Sequence, residues 1–247
     1  MSAAQLYEII FDGNNKWMLS ANGTIFTYEY EAIIPGLLKR WYAERQEMQQ
    51  KMRDCGDNEI EREYWDKRQL VKKINLNSLY GAILNPGCRF FDIRIGQSVT
   101  LTGRCITKHM ASKVNEIVAG KYDHKGESIV YGDTDSVYFT AHRTLKKEIQ
   151  QGSIPWTKDS VVSLYDKISD EVNGSFKAFM TKAFHTPSTR GEVIKAGREL
   201  VASKGLFITK KRYAVLYYDK EGHRTDVEGK EGKMKAMGLD LKRSDTP

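Results

Sequence analysis

Cysteine is scarce in this chain, and what there is does not pair. Cys55, Cys88 and Cys105 are far apart, odd in number and without a C-x-x-C. That excludes a disulfide framework. The histidines, at positions 109, 124, 142, 185 and 223, lack zinc-ligand spacing. No apolar run approaches the roughly 20 residues of a membrane span, and the N-terminus lacks a basic-then-apolar secretory signal. There is no Walker-type Gly-rich loop, which argues against a P-loop kinase. Repeats, low-complexity tracts and long linkers are also missing. These absences leave a reduced, cytoplasmic protein with no membrane contact.

What is present is enough for a real core. The chain has 247 residues, 40% apolar and 29% charged, an ordinary balance for a globular protein. Its net charge of +7 is uneven. Residues 186–247 hold 14 Lys/Arg against nine Asp/Glu, a surplus of +5, and the preceding residues hold 25 against 23, a surplus of +2. A basic C-terminal quarter points to a polyanionic partner, nucleic acid most simply, although a solvated basic face has the same composition.

The apolar periodicity predicts an α+β arrangement without strand–helix alternation. LYEIIF and KWMLS, separated by DGNN, read as hairpin strands, and Asn22-Gly23 marks a two-residue turn before TIFTY. Pro35 opens a helix whose stripe is Leu38, Trp41, Arg45, Met48 and Met52. DCGDN breaks it, and a second helical pattern runs from about Glu59 to Ala82. A loop that short predicts antiparallel packing. RFFDIRI reads as extended. A long helix follows, with Ile95, Val99, Thr102, Ile106, Met110, Val114 and Ile117 on one side and Gly120 near its end. SIVYGDTDSVYFTA predicts a strand pair, Ser160 to Phe184 another helix, and GEVIKAG and GLFITKKRYAVLYYD strands.

Three stretches carry chemistry. In IVYGDTDSVYF, Asp133 and Asp135 lie two apart inside strand-forming residues, and they share a face if the backbone is extended. Like charges so placed repel unless a cation or water separates them. A hairpin turn explains Gly132 and Asp133 equally, and a turn and a metal site are compatible. In KKINLNSLYG, Lys73, Asn77 and Tyr80 share one helix face, with Val71, Ile74 and Ser78 opposite as the packing side. A cation, an amide and a phenol in line suit a ligand with phosphate at one end and a flat ring at the other. A polar face with an incidental tyrosine is the plainer alternative. Arg45 interrupts an apolar stripe, either snorkelling outward or meeting Lys73 on one anion. In SKGLFITKKRYAV, Lys204, Lys210, Lys211 and Arg212 are interleaved with Phe207, Ile208 and Tyr213. On a strand, Lys210 and Arg212 would face one way and Lys211 and Tyr213 the other, gripping a backbone while anchored to a core. A charged edge strand is again the alternative.

KxxxNSLYG, then YGDTDS, then KKRY, in that order, resembles the family B DNA polymerases, most nearly those of tailed bacteriophages. SANGTIFTY, IPGLLKRWYAER and the terminal MGLDLKRSDTP extend the likeness over nearly the whole chain. The resemblance implies a polymerase palm, an antiparallel sheet backed by helices, with an inserted two-helix fingers hairpin. Residues 1–34 would be palm-proximal hairpins, 35–84 the fingers, 85–236 the palm and 237–247 the start of the thumb. It implies nucleotidyl transfer from a deoxynucleoside triphosphate to a primer 3′ hydroxyl at a two-Mg²⁺ site. Asp135 would be the firmer metal ligand and catalytic carboxylate, with Asp133 in support. Arg45 and Lys73 would hold the triphosphate, Asn77 and Tyr80 would check the new base pair, and Lys210, Lys211, Arg212 and Tyr213 would hold primer–template DNA. Glu192 resembles a palm carboxylate near the metals.

The sequence also departs from that family. A DxxSLYP motif, which supplies another palm aspartate, is not found before Arg45, where the acids are Glu8, Asp12, Glu29, Glu31 and Glu44. Nor is a 3′–5′ exonuclease domain. Gln49 stands where a second lysine is usual, which predicts weaker triphosphate binding. The expectation is a polymerase part that does not extend primers alone: either one encoded in pieces and completed by a second chain carrying the missing aspartate, the thumb and the exonuclease domain, or a truncated product, in a host cell's cytoplasm if the source is a phage. A non-catalytic DNA-binding fragment is the competing expectation.

Overall fold

A computed structural model of the chain describes residues 1–13, 16–227 and 229–239. The expected start of the thumb therefore lies largely outside the described residues. The chain divides into two compact units, residues 1–102 and 103–247.

The first unit begins with helix α1 (Ala3–Phe11), where a strand is expected for LYEIIF. A reciprocal cap decides it: Gln5 N–H donates to Ser2 Oγ at 3.2 Å, and Ser2 N–H donates to Gln5 Oε1 at 2.7 Å. Strands β1 (Trp17–Leu19) and β2 (Ile25–Thr27) pair antiparallel, with Met18 opposite Phe26. Their loop is longer than a two-residue turn. Ser20 and Thr24 are bonded across it, Gly23 N–H donates to Ser20 O, and Gly23 takes φ +82°, a conformation glycine adopts without a Cβ penalty.

Helices α2 (Ile33–Asp54) and α3 (Glu59–Ile83) follow. Asn58 caps α3 by accepting from Glu61 N–H, and Glu59 and Glu61 place negative charge at its positive end. The expected stripe of α2 is the half-buried side. Position 41 meets 72, 45 meets 69 and 51 meets 65, so the helices run antiparallel. The packing side of α3 differs from expectation. Trp65, Gln69, Lys72 and Leu76 are half-buried, while Val71 and Ile74 stand 55% and 54% exposed and Ser78 is exposed too. Helix α4 (Ile93–Ala119) starts inside the segment expected to be extended, because Asp92 accepts from Arg94 N–H at 2.9 Å and caps it.

In the second unit, the later turns of α4 pack against α6 (Lys158–Phe184). Val114, Ile168, Val172 and Phe176 form the buried centre, with Ile106, Met110 and Ile117 against it, in good agreement with the two predicted stripes. Strands β3 (Ile129–Asp133) and β4 (Ser136–Phe139) form a hairpin on this layer through Ile129 and Phe139. Helices α5 (Lys146–Gln150) and α7 (Ser188–Gly191) are short. GEVIKAG (191–197), expected as a strand, forms none. Asn173 of α6 instead clamps Ala196 at both its N–H (2.7 Å) and its carbonyl (2.8 Å), taking the bonds a neighbouring strand would make. Strands β5 (Leu200–Thr209), β6 (Arg212–Lys220), β7 (His223–Arg224) and β8 (Lys233–Met237) complete an antiparallel sheet with β6 central. The second unit thus carries two separate antiparallel sheets on helices.

Candidate nucleic-acid and metal site

Both chemically marked hairpins close with two-residue loops. Asp133 pairs with Ser136, which leaves Thr134 and Asp135 as the loop. Thr209 pairs with Arg212, which leaves Lys210 and Lys211. Each loop holds a non-glycine residue at positive φ, Thr134 at +44° and Lys211 at +60°. For a β-branched residue this is an outlier, of a kind that costs roughly 1–3 kcal/mol and clusters at functional sites. Asp133 ends a strand and is half-buried, whereas Asp135 is in the turn and exposed. Strand alternation therefore does not relate the two carboxylates. Likewise Lys210 and Lys211 are turn residues, not opposite faces of a strand. Short loops with no slack override the alternation that the sequence pattern implies.

Neighbouring side chains hold both loops. Thr107 of α4 donates to the Thr134 carbonyl at 2.9 Å, and Thr134 Oγ1 donates to Asp133 Oδ1 at 3.0 Å. The two loops are also tied to each other. Lys211 N–H donates to the Tyr131 hydroxyl at 2.8 Å, and Tyr138 Oη donates to Tyr213 Oη at 3.2 Å. Tyr131, Tyr138, Phe207 and Tyr213 form a four-ring cluster, with every pair of centroids between 5.2 and 6.0 Å. Burial, and then the bond to Tyr213, push the Tyr138 phenol well above its ordinary pKa, so it stays neutral. Tyr213 is 5% exposed, the anchor expected for it, while Lys210, Lys211 and Arg212 remain at the surface.

In the first unit, Arg45 turns into the α2–α3 seam, and its Nε donates to Gln69 Oε1 at 3.2 Å. Gln69 lies one turn before Lys73, so Arg45 and Lys73 belong to adjacent turns of the helix pair. Lys73 and Asn77 are exposed side by side, and Tyr80 is half-buried, its hydroxyl donating to the Gly96 carbonyl at 3.2 Å. Gln49 is half-buried on α2.

The family model for DNA polymerase family B matches residues 12–247. This chain belongs to that family. It is 34% identical over 191 residues to the DNA-directed DNA polymerase of Escherichia phage RB69, covering 72% of this chain and 20% of the relative. The corresponding enzyme of Enterobacteria phage T4 is 30% identical over the same shares. The DNA polymerase delta catalytic subunit of Oryza sativa subsp. japonica is 30% identical over 87% of this chain and 16% of its own length. The chain thus spans about a fifth of the length of these relatives. A solved family B DNA polymerase from Pyrobaculum calidifontis matches 91% of this chain and 22% of its own, at 20% identity and a TM-score of 0.47.

Several residues of this family B chain that position the loops went unmarked in the sequence. Thr107, Tyr131 and Tyr138 are ordinary stripe or strand residues by pattern. Gly238 is another: it takes φ +61°, and a Cβ there would meet the Lys211 carbonyl oxygen at 2.1 Å, so only glycine lets the two backbones approach. The glycine in MGLD was the available signal. Glu192 is exposed and paired with Lys177 at 2.7 Å, a bond that lowers its pKa. Among the described residues, no three His, Cys, Asp or Glu side chains gather as a metal shell. Asp133 and Asp135 are hard oxygen donors of the kind Mg²⁺ prefers, but only part of a donor set.

Proposed function

We propose that this chain performs part of template-directed DNA synthesis, as the fingers and palm portion of a family B polymerase. The observation that carries the reading is the coupling of the Asp133–Asp135 loop to the Lys210–Lys211 loop through Tyr131, Tyr138 and Tyr213. A carboxylate pair and a backbone-gripping cation pair, both in strained loops and tied together, fit a site that holds DNA beside metal ligands.

In this reading, residues 35–84 are the fingers, 1–34 and 85–236 the palm, and 237–247 the approach to the thumb. Lys210, Lys211 and Arg212 contact primer–template phosphates, with Tyr213 as their buried anchor, giving position without reading sequence. Arg45 and Lys73 bind the incoming triphosphate, weakened by Gln49, and Asn77 and Tyr80 face the new base pair. Asp135 is the principal carboxylate and Asp133 supports it. They would hold Mg²⁺, which when bound neutralises charge on the attacking and leaving oxygens. The primer 3′ oxygen forms a bond to the α-phosphorus, loses its proton, and pyrophosphate departs. Glu192 serves as a nearby carboxylate once released from Lys177. The remaining metal-site carboxylate comes from outside these residues. The assembly works in a host cell's cytoplasm; among the described residues, no helix is long and apolar enough to cross a membrane.

The test is primer extension with Mg²⁺ and deoxynucleotides. The purified chain alone should bind primer–template without extending it at a complete polymerase's rate. In the reconstituted assembly, Asp135→Ala should abolish extension and keep DNA binding. Extension that survives this change overturns the metal assignment. DNA binding without extension in every reconstitution identifies a non-catalytic fragment instead.

A further inference from the structure

The polar seam between α2 and α3 sorts its charges. Each carboxylate near Arg45 is engaged by another group. Glu44, its neighbour in the chain, pairs with Lys72 at 2.5 Å and with Arg40 at 3.8 Å. Glu47 pairs with Lys51 at 2.8 Å. Asp66 accepts from the Gln69 side-chain NH2 at 2.8 Å. Arg45 and Lys73 are left with no ion-pair partner among the described residues.

What Arg45 meets instead is the neutral amide of Gln69. The bond to Asp66 takes the NH2 end of that amide, so its carbonyl oxygen is the end that accepts from Arg45 Nε, at 3.2 Å. Arg45 and Gln69 are both half-buried. A guanidinium carries five N–H donors in a planar fork. With Nε engaged, the four N–H groups of the terminal nitrogens remain, in the geometry that grips phosphate oxygens two at a time. An amide carbonyl fixes the fork without cancelling its charge. A carboxylate in the same place would cancel it.

We propose that Gln69 is a positioning residue for the anion site: with Asp66 behind it, it aims Arg45 and keeps the arginine's charge available to a polyphosphate. Lys73, exposed one turn further along α3, supplies the second cation. Gln69 acts through Arg45 and not on the anion. This role presupposes the triphosphate reading of Arg45 and Lys73 and adds what makes the arginine available.

The probe is inorganic tripolyphosphate, titrated into the full chain by calorimetry, with Arg45→Ala as the reference so that only Arg45-dependent binding is counted. Gln69→Met keeps the helix propensity of the position but has no carbonyl. It should weaken that binding about threefold, the scale of one lost hydrogen bond. Without any ligand, NMR of the Arg45 Nε–H should show about tenfold faster exchange with water in Gln69→Met. Gln69→Glu should weaken binding about tenfold at low salt and less at high salt, because an ion pair then competes with the phosphate. Unchanged Nε–H exchange or unchanged affinity in Gln69→Met, or Gln69→Glu binding as tightly as the unaltered chain, overturns the positioning role and leaves Arg45 as an anion ligand. Tripolyphosphate binding that Arg45→Ala does not weaken overturns the triphosphate reading, and this role with it.

Discussion

The α2–α3 pair and the α6 layer are built from helices of similar length, 22 and 25 residues against 27, yet they are held together differently. Helix α2 has no buried residue and α3 only Ile83, whereas α6 buries Val161, Ile168, Val172, Phe176, Met180 and Phe184. Where α6 meets α4, the buried cluster is aliphatic and aromatic, with polar contacts such as His109–Ser175 added to it. Where α2 meets α3, they include Glu44, Arg45, Gln69 and Lys72. Helical periodicity marks a buried side but not how apolar that side is. A polar seam contributes little stability and leaves charged groups within reach of a ligand.

The comparison can be broken most sharply in the α6 layer. Phe176 is 2% exposed at the centre of the cluster, so Phe176→Ala should cost roughly 3–5 kcal/mol, read as a fall in the urea midpoint of the second unit. A loss below about 1 kcal/mol would mean that this layer is no better packed than the α2–α3 seam.

A pH series gives a smaller effect in the same layer. His109 accepts or donates to Tyr122 Oη at 2.7 Å and Ser175 Oγ at 2.9 Å and stacks on Phe179. Burial lowers its pKa first, aided by Lys113 and opposed by Glu116. The unfolded chain therefore binds the proton more readily than the folded one. The stability associated with the neutral ring is complete above the unfolded value of about 6.5 and declines as pH falls through the lower folded value. Urea midpoints should drop between pH 7 and pH 5.5, and His109→Gln should flatten that slope. An unchanged slope in the variant would assign the pH response elsewhere.

The smallest change belongs to the polar seam. Lys72 pairs with Glu44 at 2.5 Å across α2 and α3, both side chains partly solvated. The bond to Lys72 lowers the Glu44 pKa. Glu44→Gln should lower the urea midpoint by much less than Phe176→Ala does, and by less still in high salt. A loss matching that of Phe176→Ala would erase the distinction between the two regions.

Much of this was legible because it depends on local pattern. The α4 and α6 stripes, the helix break at DCGDN and the acidic hairpin follow from spacing alone, whereas the turn at Lys210–Lys211 lies inside what the pattern reads as one strand. The misses share a cause. LYEIIF is apolar enough for either state, and Ser2 with Gln5 settled it as helix. GEVIKAG has strand character, but Asn173 occupies its backbone groups. Val71 and Ile74 read as the packing side because they lie opposite Lys73, Asn77 and Tyr80, whereas the line from Trp65 through Leu76 meets α2.

Residue order by itself determined the family, the helical stripes and the acidic hairpin, since each is carried by neighbours in the chain. Only the tertiary structure decided that Thr134 and Lys211 are strained, that Lys210 and Lys211 form a turn, and that Tyr131 and Tyr138 tie the two loops together. Those facts depend on contacts between segments far apart in sequence, which no local spacing encodes.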